Sequence, residues 1–382
     1  MSVCACVSLA FSLNVAQSAV HLPTPSGPNA IGTEIFSLVD STRKDLFGPN
    51  LDAKRPLGVQ VWYPAVKTST GAQVPYFQPA VLDEMESANF QGVRHSTLQA
   101  WERLLTHAKP NAAIDGAQPH PLAIFSPGFG MPRSFYTSLV EDMASHGWIV
   151  AVIDHPYAGI TVVSDGRVLT SKQDADHRPD AASRRVGSMS LDQSFVLNAI
   201  NDGKSQISKF RSSIDSKRIV VLGHALGGSA SLETALRDSR FAGAADLGGS
   251  VFGRVENEGL GKRSLIFLDQ PVAARPSRAV ELERAQKAEW DQVIGKTEGG
   301  SDIALVRIDG ASHFSFTDAP FVAPQLVASG PSGSVLRADR MLKVIGSTLD
   351  SFFLHCFAGD TGTQMVSNDL QFPEETFEII HK

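Results

Sequence analysis

A four-residue apolar run, Ile219-Val220-Val221-Leu222, breaks off into Gly223-His224-Ala225-Leu226-Gly227-Gly228, and a helical pattern begins at once. A buried strand, a sharp turn and a helix therefore follow one another without a linker. Glycine stands two residues before and two after the central position, as it must where an incoming strand and an outgoing helix cross too closely for a Cβ. The turn aims the unpaired N–H groups of the helix's first turn at the space above residue 225. A chain organised around such a turn needs a sheet covered on both faces, which is an α/β architecture with mostly parallel strands.

The rest of the chain fits that frame. Short apolar runs over residues 34–39, 58–63, 122–126, 149–154, 218–223, 243–247, 264–268 and 304–308 read as strands, the first two as an antiparallel edge hairpin. Helical patterns over 134–145, 183–210, 227–236, 281–293 and 336–356 fill the gaps. The 42% hydrophobic and 19% charged residues suffice for one large core, so residues 21–382 are expected to form a single domain. No internal repeat is present. Residues 78–118, 157–179 and 252–262 have loop composition and follow predicted strands, which predicts insertions shaping a lid or cleft mouth.

Residues 3–19 are apolar, rich in small side chains, and end in Ala16-Gln17-Ser18-Ala19, a cleavage-site pattern. They are read as a secretory leader spanning residues 1–20, although the positive charge usual at its start is missing. The segment is too short and interrupted for a membrane span. Its removal takes Cys4 and Cys6 with it and leaves Cys356 alone, so no intrachain disulfide is expected. The net charge of −6 and the scatter of Lys and Arg give no footprint for nucleic acid or for an anionic membrane.

Three motifs carry the chemistry. The turn at 223–227 is the G-x-S-x-G pattern that presents a nucleophile, with Ala225 where serine belongs. Upstream, Ser126-Pro127-Gly128-Phe129-Gly130 ends another apolar strand, where a second N–H donor to an oxyanion is expected. The two candidate donors are thus the backbone amides of Phe129 and Leu226. Downstream, Gly310-Ala311-Ser312-His313-Phe314 follows the last predicted strand, and His313 is the candidate base of a nucleophile–acid–histidine order. Alanine has no atom to attack with, so no acyl-enzyme can form at residue 225.

Taken together, these pieces resemble the platelet-activating-factor acetylhydrolase and dienelactone-hydrolase-like branch of the α/β hydrolases, in its fungal form. Arg55-Pro56-Leu57, Val61-Trp62-Tyr63-Pro64, Ile124-Phe125-Ser126-Pro127-Gly128, Ala144-Ser145-His146-Gly147-Trp148, Asp154-His155-Pro156 and Ser312-His313 carry the likeness beside the 223–228 turn. The resemblance implies an α/β-hydrolase fold and cleavage of short or oxidised acyl esters or lactones without a metal or organic cofactor. It also places the family's acid in a turn after the strand that follows the elbow helix. In Asp246-Leu247-Gly248-Gly249-Ser250-Val251-Phe252 that position falls on Gly248. Asp246 and Asp269 are the two carboxylates left to partner His313, and Asp246 is placed ahead.

Other chemistries find no support. Gly259-Leu260-Gly261-Lys262 lacks phosphate-loop spacing, and no His/Cys/Glu cluster has metal-ligand spacing. His155 and His177 read as solvated loop residues near the cleft. The expected partner is a small ester, lactone or carbonyl compound. Three functions stay open: non-covalent acid/base catalysis of a cyclisation, isomerisation or elimination, as in fungal secondary metabolism; a secreted carboxylic-ester hydrolase disabled by serine-to-alanine replacement; and a non-catalytic lipid or metabolite binder.

Overall fold

A computed structural model of the 382-residue chain describes residues 20–67, 69, 71–176, 178, 180–249, 251–271, 276–299, 301–327, 336–358 and 372–382. The leader reading lies outside these residues, and no helix among them is long and apolar enough to cross a membrane.

The strands among the described residues are β1 (Ala30–Lys44), β2 (Lys54–Ala65), β3 (Lys109–Pro110), β4 (His120–Ser126), β5 (Ile149–Asp154) and β6 (Ile160–Val162). They continue with β7 (Val168–Thr170), β8 (Ile214–His224), β9 (Gly243–Leu247), β10 (Arg263–Leu268), β11 (Asp302–Ile308) and β12 (Glu375–His381). Ten of them form one sheet in the order β12-β11-β10-β9-β8-β4-β5-β2-β1-β3, with β6 and β7 as a separate hairpin. The strands from β11 to β5 run parallel, whereas β1–β2, β2–β5 and β11–β12 pair antiparallel.

Helices α1 (Pro79–Ser87), α2 (His95–Glu102), α3 (Thr137–Ser145), α4 (Ala181–Asn201), α5 (Leu226–Arg237), α6 (Val255–Glu258), α7 (Pro276–Lys296), α8 (Ala319–Val322) and α9 (Ala338–Ala358) fill the connections. The apolar runs are continuous because both faces are covered. In β4, Ala123 and Phe125 face one core with α3 and α9, while Leu122 and Ile124 face the other with α4, α5 and α7. A fully buried Leu, Ile or Phe side chain of this kind contributes about 1.5–3 kcal/mol.

Beyond β4 the connection runs to β5 on one side, and β8 pairs on the other. The sheet therefore changes winding direction at β4 and β8. Their carboxyl ends open into the crevice where open α/β sheets bind ligands. In register, Ser126 sits opposite Gly223, so the loop after β4 and the turn after β8 meet there.

Four expectations need correction. The segment 78–118 is not mainly loop: it holds α1 and α2, whose Val81, Met85, Leu98 and Trp101 join the core. Residues 157–179 contain the β6–β7 hairpin, and 252–262 contain α6. The helix predicted over 183–210 ends at Asn201, where Gly203 takes φ +67°, and a 3-10 segment follows over Gln206–Ser213. Strand β12 was not foreseen; its register lays Phe377 against Val306 and Ile379 against Ala304.

Candidate functional site

Ala225 stands between β8 and α5 with φ 51° and ψ −121°. A non-glycine residue held there costs about 1–3 kcal/mol and persists only where its surroundings force it. They do. A Cβ on Gly223 would lie 2.3 Å from the Gly227 carbonyl oxygen, and one on Gly227 2.1 Å from that of Ser126. Leu226 opens α5, so its N–H has no partner within the helix. Phe129 follows Gly128, whose own Cβ, if present, would sit 3.5 Å from that of Ala225. Leu226 and the Gly128–Phe129 step thus both border residue 225.

His313 begins a short 3-10 turn capped by Ser312. Its Nδ1 lies 3.0 Å from Asp269 Oδ2. The carboxylate is itself fixed, since Gln286 Nε2 donates to Asp269 Oδ1 at 2.7 Å. The loops bearing the pair are tied as well: Gln270 N–H donates to the Ala311 carbonyl at 2.8 Å, and Gly310 N–H to Gln270 Oε1 at 3.0 Å. A carboxylate accepts only, so Nδ1 carries the proton and Nε2 is left as the basic nitrogen. The imidazole is 43% exposed, enough for a small molecule to reach it.

The structure reverses the order given to the two carboxylates. Asp246 is fully buried on β9 and neither oxygen has a side-chain hydrogen-bond partner. Its carboxylate is wedged against glycines, a Cβ on Gly228 coming within 1.9 Å and one on Gly249 within 2.1 Å of it. Burial pushes its carboxyl well above the usual range, the Gly249 N–H offsets this only in part, and the nearby Asp269 charge adds to the rise. With no hydrogen bond to any side chain, that carboxyl orients no histidine. Gly248, the position implied for the family's acid, takes φ +67°, and a Cβ there would lie 3.5 Å from that of Asp269. Asp269 at the end of β10 thus occupies nearly the space that a carboxylate on residue 248 would fill.

Sequence reasoning did not single out His224 or Tyr136. His224 Nε2 lies 3.1 Å from the His313 carbonyl, which can only accept, so Nδ1 takes the Tyr136 hydroxyl proton at 2.9 Å. The same hydroxyl accepts the Gly128 N–H at 3.0 Å. The His224 ring packs 4.5 Å from that of His313. Burial, with the His313 charge adding to it, keeps His224 well below the usual histidine range and therefore neutral. One chain of hydrogen bonds thus links the loop after β4, the turn after β8 and the backbone of His313.

A second correction concerns His155, read as solvated. It is 3% exposed, and its ring bridges Ser126 Oγ at 2.8 Å and Asp192 Oδ2 at 2.8 Å. Burial lowers its pKa despite the Asp192 contact, so it too is neutral. Asp192 on α4 stays charged: burial alone would raise it, but Arg55 and the His155 hydrogen bond hold it below the usual range. The signal in the sequence was Asp154-His155-Pro156 at a strand end, and nothing local identified Asp192 as its partner. His177 lies outside the described residues.

Known proteins show what the chain is similar to. The family model of platelet-activating factor acetylhydrolase, isoform II, matches residues 15–175 and 189–335. A probable 1-alkyl-2-acetylglycerophosphocholine esterase from Arthroderma benhamiae is 28% identical over 98% of both chains. The platelet-activating factor acetylhydrolase of Cavia porcellus is 21% identical over 80% of this chain and 71% of its own. Among solved structures, a ferulic acid esterase from Streptomyces cinnamoneus superposes with a TM-score of 0.74 and 26% identity, covering 94% of this chain and 99% of that one. With its sheet order, its strand–turn–helix elbow and these matches, the chain has the α/β-hydrolase fold and belongs to the platelet-activating factor acetylhydrolase isoform II family.

Proposed function

We propose that this protein acts on a small ester, lactone or related carbonyl compound by acid–base chemistry that forms no covalent intermediate. The observation that carries the reading is the Asp269–His313 hydrogen bond, kept at 3.0 Å beside a turn that has no hydroxyl to activate. An imidazole oriented through Nδ1 has a use without serine: its Nε2 takes a proton from a bound water or from a carbon next to a carbonyl. In this reading the N–H groups of Phe129 and Leu226 receive the oxygen on which negative charge develops, worth about 3 kcal/mol for one such donor. In hydrolysis, water adds to the acyl carbon and gives its proton to His313; collapse expels the alcohol oxygen, which takes that proton back. In isomerisation, elimination or ring closure, as in fungal secondary metabolism, the same nitrogen removes and returns a proton on the substrate. The apolar, small-residue segment 3–19 supports a location in the secretory pathway.

A second reading has its own observation. Ala225 keeps the strained φ of 51° and ψ of −121° between strand and helix with which such a turn presents a nucleophile, which favours a carboxylic-ester hydrolase disabled at one atom. Esters are what the names of the relatives from Arthroderma benhamiae and Streptomyces cinnamoneus specify.

The unaltered chain and its His313→Ala variant, incubated with short-chain esters, γ- and δ-lactones and β-keto compounds, test the first reading by product mass spectrometry. Product formation lost in His313→Ala supports it. Ligand binding without turnover in either protein overturns it in favour of a binding role.

A further inference from the structure

Two adjacent residues of α4 are bonded to the segments that carry both candidate oxyanion donors, and the acid–base reading gives them no role. Gln193 is fully buried, and its Nε2 donates to Ser126 Oγ at 2.7 Å and to Ser231 Oγ at 2.8 Å. Its Oε1 accepts the Thr234 hydroxyl proton. Ser231 and Thr234 belong to α5, whose first residue is Leu226. Ser126 begins the loop that carries Phe129. One amide side chain is thus bonded to the supports of both N–H groups.

The neighbouring Asp192 reaches the same loop from its other end. Its carboxylate accepts from His155 Nδ1 at 2.8 Å, from Arg55 Nε and Nη2 at 2.8 and 2.7 Å, and from Arg43 Nη2 at 2.6 Å. With Nδ1–H committed to Asp192, His155 Nε2 accepts the Ser126 hydroxyl proton, and Ser126 Oγ in turn accepts from Gln193. The backbone after His155 then braces the loop. Ala158 N–H donates to the His155 carbonyl at 3.1 Å, and Gly130 N–H donates to the Ala158 carbonyl at 2.6 Å. A Cβ on Gly159 would lie 2.6 Å from the Met131 carbonyl oxygen. The loop is therefore held at Ser126 by a side chain and at Gly130 by a main chain, with Phe129 between.

We propose that Asp192 and Gln193, acting through His155 and Ser126, are positioning residues that set the distance between the Phe129 and Leu226 amides. The inference rests on the oxyanion role given to those amides above. Ser126, though bonded like a nucleophile, is wholly buried and reaches no ligand, so its hydroxyl serves geometry. Displacing a donor by a fraction of an ångström weakens stabilisation of the developing charge while leaving ground-state binding nearly intact.

The test uses two readouts. In the Ala225→Ser background, Ser126→Ala and Gln193→Met are compared for 4-nitrophenyl acetate hydrolysis. The expected result is a fall in kcat of about 10- to 100-fold with KM within about twofold. Ser126→Thr, which keeps the hydroxyl, is expected to restore kcat. In the unaltered Ala225 chain, amide exchange is followed by NMR. Ser126→Ala is expected to lose about tenfold protection at Gly130 with strand amides of β4 and β5 unchanged. Unchanged kcat and exchange overturn the proposal, as does protection lost evenly through the sheet, which marks a merely structural role. If Ala225→Ser hydrolyses nothing, the catalytic reading of His313 and the amides is what fails, and amide exchange of Ser126→Ala, Gln193→Met and Asp192→Asn alone decides whether Asp192 and Gln193 hold the loop. If Ser126→Ala does not fold, Gln193→Met, close in volume, decides by the same criteria.

Discussion

Two constellations in this molecule share one hydrogen-bond grammar. On the surface, Asp269 holds His313 beside residue 225; in the interior, Asp192 holds His155 beside Ser126. The inner set has the hydroxyl and no access, whereas the outer has access and no hydroxyl. Their backbones differ in the same sense. Ser126 ends an ordinary strand, while Ala225 is bent to φ 51° so that its side chain stands clear of the sheet. A list of contacts therefore does not identify a catalytic triad; exposure of the nucleophile and the backbone that presents it do. The outer pair sits in reach of solvent, and the inner pair is sealed and compensated by Arg55 and Arg43.

The largest test of this contrast supplies the missing hydroxyl. Ala225→Ser is expected to raise 4-nitrophenyl acetate hydrolysis by at least about 10³-fold, with an acyl-enzyme burst in stopped-flow absorbance, because the outer set then has every part. A folded Ala225→Ser protein with no gain would show that exposure and elbow geometry do not suffice.

Within that variant, Asp269→Asn is expected to cost about 10⁴-fold in kcat, and Asp246→Asn less than about threefold. The reverse ranking, read from steady-state kinetics, would return the orienting role to Asp246.

The inner set should answer in stability instead. Asp192→Ala leaves Arg55 buried without its main partner and is expected to cost about 3–5 kcal/mol in urea denaturation. Asp269→Ala, at the solvent-reached pair, is expected to cost about 1 kcal/mol or less. Equal losses would erase the distinction between the two sets.

The smallest effect is a pH slope. Burial raises the Asp246 carboxyl, so the folded chain keeps a proton that the unfolded chain gives up above a pH of about 4. Its contribution to stability is therefore full in acid and declines as pH rises toward the folded pKa. Asp318, pushed up to about 7 by burial, acts with the same sign. Asp246→Asn is expected to make the loss of stability between about pH 5 and 7 shallower without abolishing it, as measured by denaturation midpoints. An unchanged slope would mean that Asp246 is ionised in the native state.

What the sequence made legible was whatever one strand end and its turn encode together. Glycine spacing around Ala225, the Ser126–Gly130 loop and the late His313 all report local backbone demands, and each lies where it was read. The acid was ambiguous because the ends of β9 and β10 are neighbours in space but 21 residues apart from Leu247 to Leu268. Strand ends paired in this way look alike in sequence, and only the fold shows that Asp269 meets His313 while Asp246 points into the interior. His155 was misread for a related reason: its surroundings come from Asp192 and Arg55, distant in the chain, while its own neighbours Pro156 and Tyr157 have loop character. The helices in 78–118 were hidden by short amphipathic patterns that gain their stability from packing against the core.

The methyl group of Ala225 also sets the timescale of anything this cleft holds. With no covalent bond to the protein to form or hydrolyse, a bound acyl compound or its product leaves by dissociation, so occupancy is set by affinity and free concentration. Phosphonylating agents that label a serine at such a turn find no attachment point at residue 225, and whatever binds there exchanges reversibly.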